Sequence, residues 1–140
     1  MQGVTFDNYH SFRSWGLMLA KKPVVTPPEP DTKLVKVPFS NVVLDLTKAI
    51  TDKVTYGLRE IQCHFVMMEE RDKWKTLHDD ILAALHGQKM KIVLDDDPDY
   101  YYLGYVSVGE LKPEKKTATF SITATVEPYK YARHGEGRKL

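Results

Sequence analysis

The chain has 140 residues, which fits one domain that buries roughly two thirds of its unfolded surface on folding. Its hydrophobic share of 42% and charged share of 28% are ordinary for a globular protein, and a net charge of +1 gives no reason to expect a polyanionic partner. No apolar run approaches the ~20 residues of a membrane span, and the start of the chain lacks the pattern of a signal peptide. We therefore expect a protein that folds in a cytoplasm and has neither nucleic acid nor membrane as a partner.

The N-terminal third predicts short strands and an arm. Segments 17–25, 35–39 and 42–46 have strand character, and the segment 26–32 between the first two contains three prolines. Proline excludes both a helix interior and an inner strand. The pattern predicts two extended limbs joined by a stiff, exposed proline tip, with a solvated surface loop as the alternative.

A long strand is predicted over 56–68. Ile61, Cys63, Phe65 and Met67 alternate with polar residues, as in a half-buried strand. Because Cys63 is the only cysteine, a disulfide framework and a CxxC motif are excluded, and Cys63 is predicted to be a buried apolar residue.

One flanking α-helix is predicted over about 71–86. Its apolar residues recur at intervals of three and four, and Asp72 lies in the first turn, where the helix dipole favours negative charge. Gly87 follows as a favourable C-terminal residue. The apolar positions are Trp74, Leu77, Ile81 and Leu85.

The rest of the chain predicts an antiparallel meander. Met90, Ile92 and Leu94 alternate with Lys89, Lys91 and Val93; a strand over 100–108 and one over about 117–126 follow. The acidic turn 95–99 joins the first two strands and is predicted to be solvated, since unpaired buried charges are costly. The last strand has an outward face of serine and threonine that fits solvent, a channel or a subunit contact equally well. Segment 132–140 lacks apolar periodicity and is predicted to be a flexible tail after a domain over 1–131.

No catalytic, cofactor or metal site is predicted. Counted from Asp95, an EF-hand loop would need glycine where Tyr100 stands and glutamate where Val106 stands. His78 and His86 are two helical turns apart, roughly 12 Å by rise, too far for a shared metal. His64 faces away from Cys63 on a strand, so no base is in reach of the thiol. We expect a protein that is not an enzyme.

A set of short motifs in a particular order resembles the N-terminal domain of the distal tail protein of long-tailed phages or prophages. The resemblance runs from about Gly3 to Tyr131. In chain order it rests on Tyr9-His10-Ser11-Phe12, Trp15-Gly16-Leu17, Val37-Pro38, Leu44-Asp45-Leu46-Thr47, Tyr56, Arg59-Glu60, Phe65, Trp74, Leu85-His86-Gly87, the block from Asp95 to Gly104, and Glu127-Pro128-Tyr129-Lys130-Tyr131.

The resemblance implies a mainly β (α+β) fold, an antiparallel β-sandwich with one flanking helix and an extended β-hairpin arm. It also implies a structural virion protein that forms a hexameric ring at the end of the tail tube and joins the tube to the tip. Its implied partners are other copies of the chain, the tube protein, the tape-measure protein and the tip protein, with assembly in the host cytoplasm. Many relatives carry a second, carbohydrate-module-like domain. The arm that would embrace the neighbouring subunit comprises Val24, Val25, Thr26, Pro27, Pro28, Glu29, Pro30, Asp31, Thr32, Lys33, Leu34, Val35, Lys36, Val37 and Pro38.

The alternative function is a stand-alone small β-barrel that binds nucleic acid or another ligand. Strands and aromatic residues are abundant, as in proteins that stack single-stranded bases. However, four aspartates precede the tyrosine-rich strand, and their charge opposes phosphate binding. A salt-dependent interaction with an oligonucleotide would favour this alternative.

Overall fold

A computed structural model describes residues 2–31, 34–36, 43–45 and 55–140 of the chain. Within these ranges the α-helices are α1 (Ser11–Trp15) and α2 (Trp74–Leu85), with one 3-10 turn at Arg71–Lys73. The strands are β1 (Val4–Phe6), β2 (Tyr9–His10), β3 (Leu17–Leu19), β4 (Val24–Val25), β5 (Pro30–Asp31), β6 (Leu34–Lys36), β7 (Val43–Asp45), β8 (Thr55–Tyr56), β9 (Arg59–Met67), β10 (Lys89–Leu94), β11 (Tyr100–Val108), β12 (Lys112–Pro113), β13 (Ala118–Val126), β14 (Lys130–Ala132) and β15 (Arg138–Lys139).

The main sheet is antiparallel and has the order β2-β1-β10-β11-β13-β9-β3. The predicted meander is confirmed, because β10, β11 and β13 are neighbours in it. β9 pairs with β13 along its whole length, from Arg59 opposite Val126 to Met67 opposite Ala118. The sheet curls, and α1 contacts β1 and β2 near one edge and β3 at the other. The predicted class, an antiparallel β-sandwich with a flanking helix, is confirmed.

The buried residues that the structure describes form one core between the sheet and α2. The inward residues of β9 and β13 alternate with half-buried polar residues, as the period of two requires. Helix α2 adds Trp74, Ile81 and Leu85 to this core, and Cys63 is buried within it as predicted. In the described ranges, neither helix is long and apolar enough to cross a membrane.

Several predicted boundaries were wrong. The single strand predicted over 17–25 is two strands, β3 and β4, which both pair with β9. The strand predicted from Tyr56 breaks before Arg59, and the helix predicted from Arg71 begins as a 3-10 turn. Val93, predicted to point outward beside the lysines, is only 9% exposed. The short helix α1 was missed because five residues are too few to show a helical period.

The C-terminal segment pairs where no strand was predicted. β14 pairs with the start of β11 and with β15, which extends this part of the structure to Lys139. An apolar pattern is absent because these strands are short and at most half-buried. The domain limits and the flexibility of 132–140 stay predictions.

Candidate assembly interface

The predicted arm begins beside the first residues of β9. β4 pairs with β9, with Val24 opposite Gln62, and the Thr26 N–H donates to the Glu60 carbonyl at 3.0 Å. The Arg59 Nε donates to the Thr26 carbonyl at 3.0 Å. Residues 24–26 of the predicted arm therefore belong to the sheet edge.

The proline segment lies at the root of the predicted arm, so its placement at a tip was wrong, although Pro27, Glu29 and Pro30 are exposed as predicted. Pro28 is buried, and the Glu29 carbonyl accepts a hydrogen bond from the Gly57 N–H at 2.8 Å. Pro30 lies opposite Tyr56 in the β5–β8 pair. Proline is tolerated here because a two-residue strand at the margin of a structure has few ladder bonds to lose.

Two separate antiparallel ladders join the same two chain segments. β5 pairs with β8, and farther along β6 pairs with β7, with Val35 opposite Leu44. The described limbs of the arm are therefore β5 and β6 on one side and β7 and β8 on the other, rather than the segments on either side of the prolines. Among the predicted arm residues, Thr32, Lys33, Val37 and Pro38 lie outside the described residues.

A second surface lies between the two helices, at the other end of β9. A groove of about 600 Å³ separates α1 from α2. Its apolar lining includes Phe12, Trp15 and Leu77, and Phe12 is 38% exposed. Beside it, the Tyr9 ring stacks on Trp15 with centroids 5.2 Å apart. The charged and polar residues of the lining are Arg13, Ser14, Glu69, Lys73, Thr76 and Asp80.

His10 holds α1 at this groove through both of its ring nitrogens. Nδ1 accepts from the backbone N–H groups of Phe12 and Arg13, each at 3.2 Å, and so caps the helix. Nε2 lies 2.8 Å from the Asp95 carboxylate. Since Nδ1 is the acceptor, Nε2 carries the proton and donates it to Asp95. Sequence analysis singled out both residues but had no signal for a contact across 85 positions.

The acidic turn is partly tied to the fold. Asp95 is half-buried and also accepts from the Gly3 N–H at 2.8 Å, so its prediction as a solvated residue was wrong. Asp96 and Asp99 are exposed as predicted, and Asp97 pairs with the Lys130 ammonium group. Among the described residues, no cluster of His, Cys, Asp or Glu is arranged to hold a metal ion.

The tyrosines at the start of β11 do not form a stacking platform. The ammonium groups of Lys130 in β14 and Lys139 in β15 lie 4.9 and 4.5 Å from the Tyr100 ring centroid. Tyr101 lies against Lys91 at 5.0 Å and against Tyr131 at 5.6 Å between centroids. Tyr102 is in the core. The alternation of faces predicted for these residues is confirmed.

The potential catalytic side chains are engaged in structural contacts. Burial raises the pKa of the Cys63 thiol to about 12, so the thiolate is strongly disfavoured. His78 Nε2 donates to the Gly109 carbonyl at 2.8 Å, and His86 Nδ1 accepts from the Val108 N–H at 3.0 Å. In the part of the chain that the structure describes, these contacts favour a structural role for all three.

The fold resembles a solved phage protein. The crystal structure of SPP1 Dit (gp 19.1), described as a paradigm of the hub adsorption apparatus in phages that infect Gram-positive bacteria, matches 94% of this chain with a TM-score of 0.73. The chain has a Dit-like fold. The two sequences are 10% identical, and the match spans 52% of the Dit chain. The sequence matches no protein-family model and no curated protein.

Proposed function

We propose that this protein is a structural component of a phage tail. It forms a ring, hexameric by analogy with the resemblance noted above, that joins the distal end of the tail tube to the tip complex. The observation that carries this proposal is the Dit-like fold over 94% of the chain. Its partners are further copies of itself, the tube protein, the tape-measure protein and the tip protein.

The arm supports an assembly role. A ring of identical subunits uses a heterologous contact, in which one surface of a subunit meets a different surface of the next. The ladder of β6 and β7 pairs with no other described strand, and an isolated two-stranded ribbon is only marginally stable in water. An arm laid on a neighbour would gain packing beyond that of its own two-stranded ladder.

The experiment that tests this function is molar mass by light scattering over a range of protein concentrations, with negative-stain images of the same samples. We expect particles of about six times the chain mass of 16.1 kDa, with an open centre. The purified tube protein is added in a parallel series, since it offers the ring a template. A monomer under all these conditions would overturn the proposal.

The alternative of a nucleic-acid-binding module is tested with the same samples. The rings of Tyr100 and Tyr101 already contact lysine or tyrosine side chains, so stacking a base on them requires displacing those contacts. We expect no binding of a fluorescent single-stranded oligonucleotide at low salt. Binding that weakens as salt rises would favour the alternative.

A further inference from the structure

An open cavity of about 460 Å³ lies on the outer face of the main sheet. Its lining comes from the hairpin of β1 and β2, from β10 and β11, and from residues 133–134 after β14. Val93 alternates with the core residues Ile92 and Leu94, so it faces away from the core and into this cavity. Since Val93 is only 9% exposed, the cavity is a depression in the surface rather than a flat patch.

The acidic turn positions Arg133 at the cavity. The Arg133 backbone N–H donates to the Asp99 carbonyl at 2.9 Å, and Nη1 of its side chain donates to the Pro98 carbonyl at 2.8 Å. The preceding residue, Ala132, lies opposite Tyr100 in the pairing of β14 with β11. The Nε and Nη2 groups of Arg133 donate to no other described residue, so they are available to a ligand.

Lys91 is the second cation of the lining. Its backbone N–H donates to Asp7 Oδ1 at 2.8 Å, and its carbonyl accepts from the Asp7 N–H at 2.9 Å, which fixes β10 beside the β1–β2 turn. The Lys91 ammonium group lies 5.0 Å from the Tyr101 ring centroid. This cation–π contact orients the ammonium group, which donates to no acceptor in the part of the chain that the structure describes.

The cavity contains more positive than negative charge. Lys91 and Arg133 are its cations, Asp7 is its one acid, and His134 adds a positive charge when it is protonated. Among the described residues, neither Lys91 nor Arg133 forms an ion pair. Charge-assisted hydrogen bonds from arginine and lysine are roughly twice as strong as neutral ones, and both residue types are common ligands of phosphate.

We propose that this cavity binds a single phosphate group, with Lys91, Arg133 and His134 as its donors. Asp7 restricts which phosphate fits. Its Oδ2 accepts from no described residue, so it is available to a hydroxyl group of the ligand, whereas its charge opposes a polyanion. The site therefore fits a terminal phosphate, either free or as the monoester of a hydroxylated molecule, rather than a nucleic-acid backbone. The lining comes from one chain, so this proposal does not depend on ring formation.

Isothermal titration calorimetry of the full chain at low ionic strength, in a buffer without phosphate, tests the proposal. The probes are inorganic phosphate, glucose 6-phosphate and glucose, which separate the contribution of the phosphate group from that of the hydroxyl groups. We expect both phosphates to bind at one site per chain and glucose not to bind. Tighter binding of glucose 6-phosphate identifies a monoester as the ligand, and equal or weaker binding identifies free phosphate. Binding of neither phosphate would overturn the proposal.

Matched charge removals locate the site. Lys91→Gln and Arg133→Gln each remove a cation of the cavity, and Lys75→Gln removes an exposed cation of α2 that does not line it. We expect each cavity substitution to weaken phosphate binding about tenfold or more, and Lys75→Gln to weaken it less than about twofold. Equal losses in all three variants would show unspecific attraction and overturn the proposal.

Lys91→Gln is the decisive variant, because Arg133→Gln also loses the hydrogen bond to the Pro98 carbonyl. The Lys91 side chain has no such hydrogen bond among the described residues, so its replacement should leave the melting temperature in phosphate-free buffer unchanged. Phosphate binding that survives Lys91→Gln at full affinity would contradict the proposed site whatever the stability of the Arg133 variant.

Asp7→Asn tests the role of the acid. Asparagine retains an oxygen that accepts from the Lys91 N–H, and it tolerates the φ of 52° at this position. Because the negative charge is removed, we expect inorganic phosphate to bind about two- to fivefold more tightly. Glucose 6-phosphate should gain less, since its hydroxyl groups lose a charged acceptor. An unchanged affinity for inorganic phosphate would show that the anion does not lie beside Asp7 and would overturn the proposed binding mode.

Discussion

His10 is the residue on which the position of α1 depends. Its ring caps the helix through Nδ1 and bonds to Asp95 through Nε2, so one side chain fixes the helix relative to β10. A helix of five residues has little stability of its own, because nucleation fixes several dihedral angles before hydrogen bonds offset the cost. The aromatic side of the groove, which α1 supplies, therefore depends on this residue.

Substitution of His10 should measure that dependence. His10→Ala removes the cap and leaves Asp95 without one of its donors, so we expect the free energy of unfolding to fall by about 2 kcal/mol. His10→Asn retains a capping oxygen and should lose about half as much. Urea unfolding followed by circular dichroism measures both, with His134→Ala as the exposed control. A loss for His10→Ala equal to that of the control would contradict the capping role.

Gly104 provides a second test at the residue scale. A Cβ at this position would lie 2.1 Å from the Thr125 carbonyl oxygen and 2.5 Å from the Val126 Cα, both backbone atoms of the neighbouring strand. We expect Gly104→Ala to cost about 3 kcal/mol or more in unfolding free energy, because β11 and β13 must move apart. Gly87→Ala, at a φ of 77° with open space around it, should cost about 1 kcal/mol. Equal losses in the same urea assay would show that the strands separate easily.

At the scale of elements, the arm and the body are distinct. The body consists of one long sheet with α2 and a continuous core. The two described ladders of the arm, β5–β8 and β6–β7, form sheets of their own. Removing the arm beyond its root therefore takes none of the core residues that the structure describes.

Deletion of the arm should leave a folded monomer. Asp31 lies opposite Thr55, so an Asn-Gly turn can replace residues 32–54 as a two-residue hairpin connection. We expect a far-ultraviolet spectrum and a melting temperature close to those of the full chain, with a molar mass of one subunit by light scattering. The control replaces 32–54 by a glycine-serine linker of equal length, which keeps the chain length but removes the ladder. Rings formed by the deletion variant would show that the arm is dispensable for assembly.

At the scale of the whole molecule, the proposed ring would couple folding to assembly. Binding that involves only the folded state stabilises it by about 2.7 kcal/mol when the partner is at a hundredfold excess over its dissociation constant. A single chain of this size does not otherwise have a melting temperature that depends on its own concentration.

The melting temperature should therefore rise by several degrees between dilute and concentrated samples of the full chain. Differential scanning calorimetry over a hundredfold range of concentration measures this rise. The arm-deletion variant should melt at one temperature throughout. A constant melting temperature for the full chain would contradict assembly in this concentration range.

The sequence by itself determined the elements in which the apolar pattern repeats over many residues. β9, β11 and β13 alternate over nine residues each, and α2 repeats its apolar positions over three turns, so their faces and order could be predicted. The sequence also determined that Cys63 is buried, because its position lies in phase with Ile61 and Phe65. Local periodicity is sufficient for such elements, since the same face meets the core along their whole length.

Only the tertiary structure decided the positions of the short elements. Helix α1, the root of the arm and the C-terminal hairpin are too short for periodicity, and they depend on distant partners such as Asp95 for His10, Glu60 for Thr26 and Tyr101 for Tyr131. The prolines illustrate the difference: their exclusion from inner strands was correctly predicted, but whether they form a tip or a root depends on which segments pair. That pairing is set by β9 and β8, which lie some 30 residues farther along the chain, and a local pattern contains no information about such contacts.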